Sequence, residues 1–340
     1  MDAPCGTIPT VSLPERLGRL QRVDRIGVGG FATVWLYHDE ELESDVAVKA
    51  LAENWAQRYD IRERFLEEAR ILRRADSDHV VRVYDIGETD GTPYFVMSYA
   101  DRGSLAGILD DGRPLPTTTV RDLVGQAALG LGVLHSHGVI HRDIKPQNLL
   151  LASRGEATKL MVADLGVAKA MLHASGLTQV VGTPAYMAPE QATGDPLDLR
   201  ADVHALGAVT YQMLTGTLAR EGGIADLIDA RLPPPASSLA PLPVAVDDVL
   251  ARALQPQAED RWPSVEAFTT ALDAALAGSP PDGSTVQRPV AARTAGPPAA
   301  SSTSPGAASP RLNGLLLALV CVLVLAASFG AAYGITQLVR

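Results

Sequence analysis

Strand-like segments crowd the first third of this chain, and helical periodicity takes over afterwards. The runs "RVDRIG", "TVWLYHD" and "DVAVKAL" are apolar, β-branched and aromatic, as strands are. "VVRVYDIG" and "TPYFVMSYA" repeat the pattern after an insertion. The insertion, "YDIRERFLEEARILRRA", places Ile61, Phe65, Ala69 and Leu72 at helical spacing. Helical stretches then dominate: "TTTVRDLVGQAALGLGVLHSHG", "LRADVHALGAVTYQMLTG", "PVAVDDVLARAL" and "SVEAFTTALDAALAG". Strands first and helices afterwards imply an α+β fold with a β-rich and an α-rich lobe.

Composition divides the remainder. Residues 20–277 mix apolar periodicity with charge, as a folded domain does, and 1–19 form an N-terminal extension. Residues 278–311 are rich in Pro, Ala, Ser, Thr and Gly and hold no aromatic side chain. They bury too little apolar area to offset chain entropy and read as a disordered linker. Residues 314–335 carry no charge. As a helix of ~22 residues they would span ~33 Å, the thickness of a hydrocarbon core. A single transmembrane helix over 312–338 is therefore expected, with 339–340 emerging beyond the membrane. Arg288, Arg293 and Arg311 precede the segment and only Arg340 follows it, which points to a cytoplasmic N-terminal side. No signal peptide is recognisable in the first residues, so the expectation is a single-pass protein of the cell membrane with its large domain inside the cell.

Net charge is −10 and the isoelectric point is near 5.2, which argues against a nucleic-acid partner. Cys5 and Cys321 are the two cysteines, far apart and without metal-ligand spacing.

Three polar features interrupt the apolar pattern. "GVGGFATV", residues 27–34, lies between two strands, and its small residues let backbone N–H groups approach phosphate oxygens closely. Taken alone, such a turn is an ordinary hairpin more often than a binding loop. Lys49 sits inside the following strand, where an isolated lysine usually faces solvent. "VIHRDIKPQNLL", residues 139–150, gathers His141, Arg142, Asp143, Lys145, Gln147 and Asn148 between two apolar runs. By itself it reads as a solvated turn.

The order GxGxF, VAVK, HRDxKxxN, DLG and APE resembles the signature set of protein kinases, and most closely the membrane-anchored bacterial kinases of the eukaryotic-like Ser/Thr type. The resemblance covers about residues 20–277. It implies the bilobal protein kinase fold and an ATP-dependent serine/threonine kinase using Mg2+, with Mn2+ as a substitute. By resemblance, Gly27, Val28, Gly29, Gly30, Phe31 and Ala32 would cover the phosphates. Val34, Ala47 and Met97 would line the adenine pocket, with Ser98, Tyr99 and Ala100 as a hinge strand. Lys49 would hold the α- and β-phosphates, and Glu68 would orient it. Asp143 would position the acceptor hydroxyl and Lys145 would neutralise the moving phosphoryl group. Asn148 and Asp164 would bind the metal. Thr183 would sit beside Asp143 and Lys145, Glu190 would pair with Arg261, and Asp202 would brace the catalytic loop. Arg142 would bind a phosphate on the activation segment, on Thr178 or else Ser175. His141 is read as a packing residue.

Three positions depart from the pattern. Ala32 replaces the last glycine of the loop, Leu165 replaces the usual Phe after the metal-binding Asp, and "TGTLAREGG" lacks a common Pro-Phe, which puts substrate choice in doubt. A membrane-tethered pseudokinase scaffold and a small-molecule kinase are the alternatives. All four of Lys49, Asp143, Asn148 and Asp164 being present weighs against the first, and "GTPAYMAPE" against the second. Expected partners are proteins with Ser/Thr acceptors and membrane lipid. Ser284, Thr285, Thr294 and 301–304 of the linker offer hydroxyls to phosphothreonine-binding modules, and Ala326, Gly330 and Gly334 suit a homodimer.

Overall fold

A computed structural model describes residues 13–166, 184–223 and 231–278. Six strands build the first sheet: β1 (Arg16–Leu17), β2 (Leu20–Val28), β3 (Ala32–Asp39), β4 (Ser44–Leu51), β5 (Val83–Thr89) and β6 (Thr92–Ser98). They are antiparallel, in the order β1-β2-β3-β4-β6-β5. β4 is the central rail. Its last six residues are buried, and it pairs with β3 on one side and β6 on the other. The β5–β6 hairpin turns on Asp90 and Gly91, both at positive φ (49° and 76°). That is the twist-matched two-residue turn that Asp-Gly favours.

Two helices, α1 (Glu53–Ala56) and α2 (Tyr59–Arg74), connect β4 to β5. The apolar stripe of α2, Ile61, Phe65, Ala69 and Leu72, packs on the sheet, with the Phe65 and Phe95 rings 5.0 Å apart. This brings Glu68, on the same face, into the interior at 3% exposure.

The second half holds α3 (Leu105–Leu109), α4 (Thr117–Ser136), α5 (Pro189–Thr193), α6 (Arg200–Thr215), α7 (Ala245–Ala253) and α8 (Val265–Leu276). α6 is buried on nearly every side, as suits the axis of a helical lobe. α4 runs so close to residue 79 that a Cβ on Gly130 would lie 2.2 Å from the His79 carbonyl oxygen.

The architecture is thus β-rich then α-rich, with three corrections. A two-stranded sheet, β7 (Leu149–Arg154) and β8 (Ala157–Val162), lies inside the helical half, where the expectation was mostly helical and named no strands. Its apolar runs are too short for helices and turn at Gly155. The expected hinge strand ends at Ser98, and Tyr99 and Ala100 continue without ladder pairing. The boundary expected at residue 20 falls within the sheet. β1 pairs with the start of β2, Leu13 is 1% exposed, and the Tyr37 hydroxyl donates to the Pro14 carbonyl at 2.7 Å. Leu13 thereby completes a small apolar cluster with Tyr37, Val46, Val48, Ala50, Ala52 and Val96, separate from the main core.

The chain divides into one unit up to Ser284 and another from Thr285 onward, and all described residues lie in the first. No helix among the described residues is long and apolar enough to cross a membrane. The expected linker (278–311) lies outside the described residues beyond 278, as does the whole expected span (312–338).

Candidate active site

Strand alternation turns Lys49 of β4 inward, opposite Val34 in the β3 register. Its ammonium group is nearly sequestered from water and lies 2.8 Å from both Glu68 Oε1 and Asp164 Oδ1. Burial alone would push the lysine pKa down. Coulombic attraction and hydrogen bonding from Asp164 and Glu68 override it, so the pKa is raised and Lys49 stays charged. One cation between two carboxylates leaves a net negative charge, which suits a further cation nearby. Asp164 itself stands at φ +59°, a conformation uncommon for a non-glycine residue.

The polar stretch 139–148 has no regular structure until a 3-10 turn at Pro146–Asn148. Asp202 of α6, fully buried, holds it in shape. Its Oδ2 accepts from the His141 N–H at 2.8 Å and its Oδ1 from the Arg142 N–H at 2.9 Å. The His135 ring Nε2 lies 2.8 Å from the same Oδ2. Arg142 adopts φ +68°, so the chain bends sharply just before Asp143. His141 lies beneath the bend with no exposure. Its Nε2 faces the Ala163 carbonyl at 2.9 Å, and its Nδ1 accepts from the Asp143 N–H at 3.3 Å. That pattern assigns the neutral Nε2–H tautomer. Burial pushes its pKa down, against the pull of Asp202 and Asp143.

Above the bend the functional groups converge. Lys145 Nζ lies 3.0 Å from Asp143 Oδ2. The Asn148 amide donates to the Asp143 carbonyl at 2.7 Å and to its Oδ2 at 2.8 Å. This orientation leaves Asn148 Oδ1 as the oxygen available to a metal. Asn148 and Asp164 are joined through the backbone, since Ala163 N–H donates to the Asn148 carbonyl at 2.9 Å. Asp164 and Asn148 offer hard oxygen donors, which fit Mg2+. No cluster of three His, Cys, Asp or Glu among the described residues could hold an ion by itself. The remaining oxygens would come from phosphates and water.

Opposite this floor, the 27–32 turn closes when the Gly29 N–H donates to the Ala32 carbonyl at 2.8 Å. Ala47 and Met97 are buried beside each other across β4 and β6. Val34, Phe31 and Tyr99 are half-buried against the core. Glu190 of α5 meets the fully buried Arg261 through two bonds of 2.6 and 2.7 Å. Thr183, Thr178 and Ser175 lie outside the described residues.

Two contributors carried no readable signal. Trp55 of α1 donates its indole N–H to the Gly30 carbonyl at 2.8 Å. Gln191 of α5 accepts from the Ala188 N–H at 3.1 Å and donates to the Arg142 carbonyl at 2.8 Å. Both act across distant parts of the chain, where no local spacing rule applies.

The model of the family described as "Protein kinase domain" matches residues 20–229. The described fold continues beyond that through α7 and α8. The chain is 38% identical over 271 residues to serine/threonine-protein kinase Pkn1 of Myxococcus xanthus, covering 77% of this chain and 39% of that protein. It is 33% identical over 286 residues to serine/threonine-protein kinase PknB of Mycobacterium leprae, covering 79% and 45%. The chain thus spans less than half the length of these curated relatives. The crystal structure of the Mycobacterium tuberculosis PknI kinase domain superposes with a TM-score of 0.63 at 27% identity, covering 78% of this chain and 100% of that one.

Proposed function

This chain belongs to the protein kinase family, among the bacterial Ser/Thr kinases, and from that premise we propose that it transfers the γ-phosphoryl group of ATP to serine and threonine hydroxyls of proteins. The observation that carries the reading is Lys49 Nζ, held 2.8 Å from both Glu68 and Asp164. That triangle ties sheet, α2 and metal-ligand carboxylate into one rigid unit.

Phosphoryl transfer asks the protein mainly for positioning and charge stabilisation. Lys49, kept cationic, binds the α- and β-phosphates. Gly27, Val28, Gly29, Gly30, Phe31 and Ala32 cover them, while Val34, Ala47, Met97, Tyr99 and Ala100 enclose the adenine. Asp143, oriented by Asn148 and Lys145, receives the acceptor hydroxyl and takes its proton. Lys145 then shares its charge with the transferring group. Asn148 Oδ1 and the Asp164 carboxylate would hold Mg2+, and the ion would supply charge neutralisation for the phosphates. His141, buried and neutral, supports the bend and exchanges no proton with substrate.

Five finer elements belong to the same proposal. Arg142 is exposed and beside Asp143, which supports its binding a phosphate on Thr178 of the activation segment. The presence of both Lys145 and Thr183 in the sequence supports Ser/Thr over Tyr acceptors. The uncharged segment 314–335 anchors the kinase to the cell membrane, its Ala326, Gly330 and Gly334 allow pairing with a second copy, and linker hydroxyls recruit phosphothreonine-binding modules.

Incubation with [γ-32P]ATP, Mg2+ and a generic protein acceptor tests the reading. Incorporation is expected for the wild type, with a loss of at least about 100-fold for Lys49→Met. Equal labelling by both proteins would sink the proposal. Phosphosite mapping of the same reaction should find Thr178, and a fully active Thr178→Ala enzyme would remove its regulatory role.

A further inference from the structure

We propose that Trp55 is a positioning residue that fixes the 27–32 loop for phosphate binding, an inference that rests on the ATP-binding reading above. Trp55 lies on α1, one helical turn past the end of β4. Its indole N–H donates to the Gly30 carbonyl at 2.8 Å. Its ring also packs on Phe31, with centroids 5.2 Å apart and planes inclined at 34°. The next carbonyl, that of Phe31, accepts from the Ala52 N–H at 2.7 Å. Both peptide planes flanking Phe31 are therefore tied to the start of α1.

A trans peptide places its N–H opposite its carbonyl. With the Gly30 carbonyl bound to Trp55, the Phe31 N–H is turned away from α1. Among the described residues, the N–H groups of Gly30 and Phe31 meet no protein acceptor. Neighbouring glycines give 29–30 wide backbone freedom, so an untied loop would scatter these donors over many orientations. The indole bond removes that freedom before nucleotide arrives, and less ordering entropy then opposes binding. Trp55 touches no reacting atom in this scheme and acts only through the loop.

The chemistry predicts a phosphate-specific effect. Trp55→Phe keeps an aromatic ring against Phe31 while deleting the N–H donor and part of the indole bulk, whereas Trp55→Ala removes ring and donor together. Binding of Mg·ATP and of adenosine to the full chain, measured by titration calorimetry, separates the possibilities. Trp55→Phe should weaken ATP about three- to tenfold, the effect of one hydrogen bond, and leave adenosine within about twofold. KM for ATP should rise in parallel, with kcat changing less. Trp55→Ala should weaken ATP further. Unchanged ATP affinity in Trp55→Phe would overturn the role, as would equal weakening of ATP and adenosine, the mark of a merely structural residue. A wild type that binds no ATP at all would instead bring down the kinase reading, and this inference with it.

Discussion

His204 shows how one side chain sets a pH limit on the fold. It is 1% exposed on α6. Neither ring nitrogen makes a hydrogen bond of ordinary geometry, although the Tyr186 backbone lies close. Burial pushes its pKa well down, and the Arg261 and Arg220 cations push it further. His141 is depressed in the same sense by burial. In the unfolded chain both histidines titrate near the usual value of about 6.5. Below that pH the unfolded state takes up protons that the folded state refuses, so stability falls as pH drops. Above it neither state binds the proton and this contribution is flat. Each histidine adds a slope of up to about 1.4 kcal/mol per pH unit below pH 6.5. His204→Leu keeps the volume and removes one proton site. Urea unfolding between pH 7.5 and 5.5 should show a shallower decline for this variant than for the wild type. Parallel curves would contradict the assignment.

At the scale of elements, α5 illustrates a helix that cannot stand alone. It has 5 residues, below the length at which isolated helices persist. It is held from outside, by Gln191 reaching Arg142 and by Glu190 meeting Arg261. Every nitrogen of the Arg261 guanidinium is used. Nε donates to the Gln255 carbonyl at 2.7 Å, Nη1 to Glu190 and the Arg200 carbonyl, and Nη2 to Glu190 and the Pro256 carbonyl. One buried side chain thus joins α5, the start of α6 and the 255–261 connection. Arg261→Ala strands Glu190 and several carbonyls, and should lower unfolding stability by about 3–5 kcal/mol. Arg261→Lys should recover only part of that, because an ammonium cannot reproduce the planar fork. Chemical denaturation checks both. A loss under about 1 kcal/mol in Arg261→Ala would contradict the structural role.

At the scale of the whole molecule, the described residues form a kinase fold in one unit, and the chain continues for 62 residues after 278. The proposed anchor has a direct consequence. The full chain should pellet with membranes and resist a carbonate wash, whereas a chain ending at 278 should remain in the supernatant. Release of the full chain by carbonate would remove the anchor from the proposal.

The sequence alone determined the lobe order and the chemical cast. Period-two runs before 3.6-residue periodicity fix β before α, and Lys49, Asp143, Asn148 and Asp164 stand in motifs whose order is specific. These signals are local, so a linear reading reaches them. Other features needed the fold. The β7–β8 hairpin was missed because periodicity alone does not tell a short apolar strand from a buried helix segment, and only the length of the runs separates them. Leu13 and Pro14 lie in a stretch without periodicity, and only packing on Tyr37 makes them part of the domain. Glu68 is one acid among several on α2, and burial beside Lys49 singles it out. Trp55 and Gln191 act on residues 25 and 49 positions away. Which side chain meets which carbonyl at that separation depends on how sheet and helices pack, and tertiary structure alone decided it.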